Sequence, residues 1–113
     1  MTAVRPAEAG LPGIVAERLA DIAELCRRFG VHRLDLFGSA ATGRFDPAKS
    51  DLDFLVAFEE MPPGRYAKAC FGLHEGLEQL FGRPVDLLTE PALVNPYLRR
   101  QIESEKRTLY PLP

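Results

Sequence analysis

Between Leu36 and Phe58 the chain reads LFGSAATGRFDPAKSDLDFLVAF, an apolar run that a Gly-Ser turn interrupts and that resumes behind an Asp-x-Asp pair. The run before the turn, Val31 to Phe37, is rich in Val, Leu and Phe and meets Gly38 directly, which predicts a strand feeding a tight turn. Behind the turn, Asp51 to Phe58 alternates. Asp51, Asp53, Leu55 and Ala57 fall on one face of a strand, and Leu52, Phe54, Val56 and Phe58 on the other, which is the expected core face. Ser39 to Thr42 reads as a short helix, with Ser39 as its cap and Gly43 to stop it, and 45–50 with Asp46 and Pro47 as a loop.

Outward from this stretch, helical and extended patterns alternate. Ile14, Val15, Leu19, Ile22, Leu25, Cys26 and Phe29 recur at helical spacing and predict one helix from Pro12 to Phe29, closed by Gly30. Residues 59–64, with Pro62 and Pro63, break the pattern. A long helix follows, with Tyr66, Ala69, Cys70, Leu73, Leu77, Leu80 and Phe81 at helical spacing and Gly82 at its end. PVDLL at 84–88 predicts a third strand whose Asp86 faces away from Val85 and Leu87. Asn95 and Pro96 suit the cap and first turn of a last helix through Glu105, and Thr108 to Tyr110 suits a final short strand.

At 113 residues the chain is expected to form one domain over 12–113 behind a loose arm at 1–11, without room for a second substrate domain. Its formal net charge is −2, from 14 basic and 16 acidic residues, which gives no chain-wide basic surface for autonomous nucleic-acid binding. Cys26 and Cys70 have neither disulfide-framework nor metal-ligand spacing and read as reduced thiols. There is no leader-like start and no apolar run of membrane-spanning length, so the expected location is the cytoplasm.

Asp51 and Asp53, two residues apart on a strand, have alpha carbons about 6.6 Å apart and side chains on the same face, and a neighbouring strand lies about 4.8 Å away. Asp86 is suited to be the third corner. Three clustered carboxylates repel one another unless a cation neutralises them. An all-oxygen set without His or Cys favours Mg²⁺, which keeps waters and shares its shell with phosphates. Gly38 admits backbone amides close to an anion, and Ser39 adds a hydroxyl at a helix start, so the turn is the expected seat of the phosphates. In a two-ion arrangement with separations of about 3.5–4 Å, Asp51 and Asp53 would serve both ions. Asp86 would serve one, and it is the candidate to take the attacking hydroxyl's proton. Arg44 and Lys49 are candidates for neutralising phosphate, and Ser50 joins Gly38, Ser39 and Arg44 in the candidate nucleotide-binding set.

Gly38-Ser39, Gly43, Ser50-Asp51-Leu52-Asp53 and the later Asp86 together resemble the nucleotidyltransferase superfamily that includes DNA polymerase beta. Within it the chain is most similar to the minimal nucleotidyltransferases, the MNT type often paired with a helical HEPN protein. The likeness runs from about residue 12 to Tyr110 and includes the ending NPYLRRQIESEKRTLY. It implies an α+β fold, a small mixed β-sheet with flanking helices. It also implies Mg²⁺-dependent transfer of a nucleoside monophosphate, usually AMP from ATP, to a hydroxyl. In HEPN-paired members the acceptor can be a tyrosine of the partner toxin, which makes the enzyme an antitoxin. By the same likeness Gly38 and Ser39 hold phosphate, and Asp51, Asp53 and Asp86 hold metal. Many relatives read Gly-Ser-x-Ala-Arg-Gly, whereas Thr42 stands here at the Arg position, with Arg44 two residues on.

Each element alone has a plainer reading: a common turn, a solvated acid, an edge-strand acid. The order of the pieces, each acid backed by apolar strand, favours the catalytic one. The principal rival is a binding module that keeps the fold and neutralises its partner by covering it. His74 and Glu75 read as an exposed helix face, Tyr97 beside Leu98 as packing, and Arg99, Arg100, Lys106 and Arg107 as a solvated basic face suited to an acidic partner or a triphosphate tail.

Overall fold

A computed structural model describes residues 11–43, 46, 51–90 and 94–111. Its elements in chain order are α1 (Gly13–Ala16), α2 (Leu19–Arg28), β1 (Val31–Phe37), β2 (Leu52–Phe58), α3 (Pro63–Phe81), β3 (Val85–Thr89), α4 (Pro96–Glu105) and β4 (Arg107–Tyr110), with one 3-10 turn at Gly38–Ala40. The four strands form one sheet in the order β3-β2-β1-β4. β1 is antiparallel to both β2 and β4, while β2 and β3 are parallel, joined through α3. The result is the mixed sheet with flanking helices that the family resemblance implied.

Most element boundaries follow the apolar spacing. α4 begins where Asn95 was expected to cap it: the Asn95 side-chain oxygen accepts from the amides of Tyr97 at 2.9 Å and Leu98 at 3.3 Å. The expected helix at 12–29 is two helices instead. The Arg18 amide bonds to the Val15 carbonyl, three residues back, at 3.0 Å, so the ladder tightens and restarts at Leu19. Periodicity alone does not reveal a change of one residue per turn, because both halves bury the same stripe, Val15, Ile22 and Cys26.

The main core lies between α1, α2 and α3 and the sheet face that carries Leu34, Leu36, Leu52, Phe54, Val56, Val85 and Leu109. α2 and α3 pack closely where Gly72 faces Phe29: a Cβ at Gly72 would overlap the Phe29 ring. The opposite sheet face is covered in part. Leu55 is buried against Ile102 of α4, with Phe37 and Leu88 beside them.

A buried carboxylate holds that cover in place. Asp35 of β1 is 1% exposed. It accepts from the Thr108 hydroxyl at 2.7 Å and pairs with the Arg33 guanidinium at 3.1 Å, and Lys106 Nζ stands 3.9 Å away. Lys106 also reaches Glu103 of α4 at 2.9 Å, so it belongs to this network rather than to a solvated basic face. Three partners from two strands and the α4–β4 junction compensate the cost of taking this charge out of water. α4 is thereby fixed over one end of the face, and the other end, at Asp53 and Asp86, stays open.

Candidate active site

Strand register gathers the acids. In the parallel pair Asp53 of β2 lies opposite Asp86 of β3, and in the antiparallel pair Asp53 lies opposite Phe37, the last residue of β1. Opposed residues share a face, so Phe37, Asp53 and Asp86 form one row across three strands. The turn that begins at Gly38 continues this row. Asp51 precedes β2 and is exposed, and its charge acts on Asp53.

The row has a measurable electrostatic consequence. Partial burial, a hydrogen bond with Asp86, the charge of Asp86 and the charge of Asp51 push the Asp53 carboxyl up to about 6, from an ordinary 3.8. Two carboxyl groups hydrogen-bond to each other only when a proton sits between them.

Gly38 has φ 73°, and a Cβ there would overlap the Asp53 carboxylate oxygen. The turn and the acid therefore touch, which only glycine permits. The turn is a single 3-10 turn of three residues whose cap position, Phe37, makes no side-chain bond. Two expectations are thus corrected. Ser39 lies inside the turn and does not cap a helix, and so short an element has no macrodipole to attract phosphate. Anion binding here would rest on the individual amides that open such a turn, which have no acceptor within it. Thr42, at the position where relatives carry Arg, donates its hydroxyl to the Gly38 carbonyl at 3.1 Å and closes the turn on itself. Arg44 and Ser50, expected at the nucleotide, and Lys49 beside them lie outside the described residues.

Among the described residues no three His, Cys, Asp or Glu side chains stand as a preformed metal group. The donor set nonetheless suits Mg²⁺: oxygen only, with Asp53 opposite Asp86 in the sheet and the charge of Asp51 close enough to act on Asp53. A cavity of about 330 Å³ opens beside Asp86, walled by Phe71, His74, Leu87 and Thr89.

Three further features differ from the sequence reading. His74 is not simply an exposed helix residue: its Nε2–H donates to the Val85 carbonyl at 2.7 Å. Helical spacing could not show a bond to a strand eleven residues on. Tyr97 is not packed but 79% exposed, because α4 turns its Ile102 stripe inward and its first turn outward. The buried position of Asp35 gives no signal in the sequence, since Thr108 and Lys106, which help to compensate it, lie far along the chain.

The family model described as "Nucleotidyltransferase domain" matches residues 22–109. A protein of Methanocaldococcus jannaschii named "Putative protein adenylyltransferase MJ0128" is 38% identical over 81 residues, covering 72% of this chain and 79% of that one. A solved structure described as "Structure of putative minimal nucleotidyltransferase" superposes with a TM-score of 0.67 at 41% identity, covering 80% of this chain and 87% of the other. A second, "Crystal structure of the toxin-antitoxin with AMP-PNP", reaches a TM-score of 0.61 at 22% identity over 81% of this chain and 72% of that one, a likeness of fold. No helix among the described residues is long and apolar enough to cross a membrane.

Proposed function

Since the chain belongs to the nucleotidyltransferase domain family and is an enzyme of that class, we propose that it transfers AMP from ATP to a hydroxyl of a partner protein. The observation that carries the reading is the pairing of Asp53 with Asp86 across β2 and β3, with the glycine turn at Gly38 set against Asp53. The name of the methanogen relative, a protein adenylyltransferase, supports a protein as acceptor. The toxin-antitoxin assembly with a nucleotide analogue supports both an ATP-like co-substrate and a partner in a two-gene pair, for which a helical HEPN-type protein is the proposed identity. The working unit is residues 12–113, acting in the cytoplasm, where Cys26 and Cys70 stay reduced.

In this reading Asp51, Asp53 and Asp86 hold Mg²⁺, two ions in the full complex, which supply charge neutralisation and an acidified hydroxyl. The residues do the rest. Amides at Gly38 and Ser39 donate to phosphate oxygens, and Arg44 and Ser50 complete the proposed nucleotide-binding set. The acceptor oxygen bonds to the α-phosphorus, the bond from that phosphorus to the bridging oxygen breaks, and pyrophosphate leaves with the electron pair. The hydroxyl proton passes to Asp86, which lines a cavity that we assign to the acceptor. α4 and the Leu55 cluster keep water from one flank of the acid row.

The test is incubation of the chain with ATP labelled at the α-phosphate, Mg²⁺ and the product of the adjacent gene. Label on the partner, lost in Asp51→Ala and Asp53→Ala, is the expected result; a partner left unlabelled by parent and variants alike removes the transfer. One observation favours a second reading, a weak or inactive module that silences its partner by binding: Thr42 spends its hydroxyl inside the turn, where an Arg would extend a charge. That reading predicts that a triple Asp-to-Ala form still protects cells from the partner.

A further inference from the structure

β3 is the edge of the sheet, bonded to β2 on one side only. Leu52 donates to the Pro84 carbonyl, which turns the backbone groups of Val85, the next residue, toward the open edge. An edge strand normally leaves such groups to water and frays. Here both are taken by one helix. His74 Nε2 donates to the Val85 carbonyl at 2.7 Å, and the Val85 amide donates to Glu78 Oε2 at 3.1 Å. His74 and Glu78 are one turn apart on α3, and their facing atoms are 3.5 Å apart. The next residue along β3 is Asp86.

We infer that His74 and Glu78 are positioning residues that clamp Val85 from outside the sheet and so hold Asp86 in register with Asp53. This rests on the proposed role of Asp86 as a metal ligand. The geometry is specific to that purpose in two respects. Both hydrogen-bonding groups of a single residue are fixed, which sets its rotation about the strand axis and hence the direction of the following side chain. The clamp adds to a side chain that is already packed in the core, so Val85 is held on both its backbone and its side-chain sides. A carbonyl can only accept, so His74 must carry its proton on Nε2, and a charged or neutral ring serves equally. Groups that orient a metal ligand typically change metal affinity about 10-fold to 100-fold when removed.

The experiment uses the full chain and Mn²⁺ as a spectroscopic stand-in, with free ion counted by electron paramagnetic resonance. His74→Ala and Glu78→Ala should each weaken Mn²⁺ binding about tenfold. His74→Gln, which keeps an N–H donor, and Glu78→Gln, which keeps an acceptor oxygen, should restore most of it. In an Asp86→Asn background the same alanine changes should have no further effect, because the ligand they orient is gone. Amide exchange at Val85 should accelerate in both alanine forms. A parent that binds Mn²⁺ together with alanine forms that bind it equally well overturns the clamp and leaves the proposed function standing. Alanine forms that weaken binding to the same extent with and without Asp86 also overturn it, by showing a general loosening. A parent that takes up no Mn²⁺ overturns the reading of the acids and the clamp with it.

Discussion

Gly38 and Asp53 lie against each other so closely that a single methyl group on the glycine would occupy the space of the aspartate's carboxylate oxygen. The turn and the central acid are therefore one construction: a shift of either is felt by the other. Gly38→Ala would face both a left-handed backbone, at φ 73°, and a displaced carboxylate. The expected result is transfer activity reduced about 100-fold or more, the scale of a misplacement of about 1 Å in an active site. The fold would persist, because the strain is confined to one turn. Rate assays alongside circular dichroism check both halves.

The acid pair gives a pH dependence with a definite sign. Asp53 titrates near 6 in the folded chain against 3.8 in its ordinary state, so the folded form holds its proton more tightly. Its stabilising contribution is complete below the lower value and is lost as pH rises through the upper one. Metal-free protein should lose thermal stability between about pH 4 and pH 7, and Asp53→Asn should flatten that part of the profile. Added Mg²⁺ should raise the unfolding temperature more at about pH 7.5 than at about pH 5, because it competes with the proton on Asp53. Differential scanning calorimetry with and without chelator reads all three.

Asp35 supplies a stability test remote from the acid row. Asp35→Ala leaves Lys106, Arg33 and Thr108 around an emptied site and should cost about 3 kcal/mol in denaturant unfolding. Thr108→Val removes one donor from the buried carboxylate and should cost about 1–2 kcal/mol. The Asp35 change should also loosen α4, seen as faster amide exchange around Ile102.

The two thiols should differ in reactivity. Burial pushes the Cys26 thiol up to about 12, so it is a closed core residue. Cys70 is also raised by burial, but it is only half-buried and its shift is partly opposed by a hydrogen bond to Tyr66. Under native conditions a maleimide should label Cys70 slowly and Cys26 only after unfolding, a difference that peptide mass spectrometry resolves.

Much of this arrangement is legible along the chain, for a physical reason. Side chains alternate on a strand, so Asp53 had to face away from Leu52 and Phe54, and Asp86 away from Val85 and Leu87, whatever the topology; β2 starts at Leu52, so the expected strand position of Asp51 lies just outside it. Asn95 with Pro96 carries its own capping chemistry, and the structure starts α4 there. What could not be read depends on partners distant in sequence. The burial of Leu55 needs Ile102, the tolerance for Asp35 needs Thr108 and Lys106, and the role of His74 needs β3 beside it. The turn at Gly38 was legible in position and misread in kind, because Ser followed by two alanines suits a helix start as well as a 3-10 turn. Arg44 and Ser50 fall outside the described residues and stand as proposals of the sequence alone.

The most direct test of the account is a crystal grown with Mn²⁺ and a non-hydrolysable ATP analogue, with the metal located by its anomalous scattering. The account predicts a peak among the carboxylates of Asp51, Asp53 and Asp86, with the analogue's phosphates against Gly38 and Ser39. A bound analogue with no peak among those carboxylates, or with Asp86 turned away from Asp53, would contradict it.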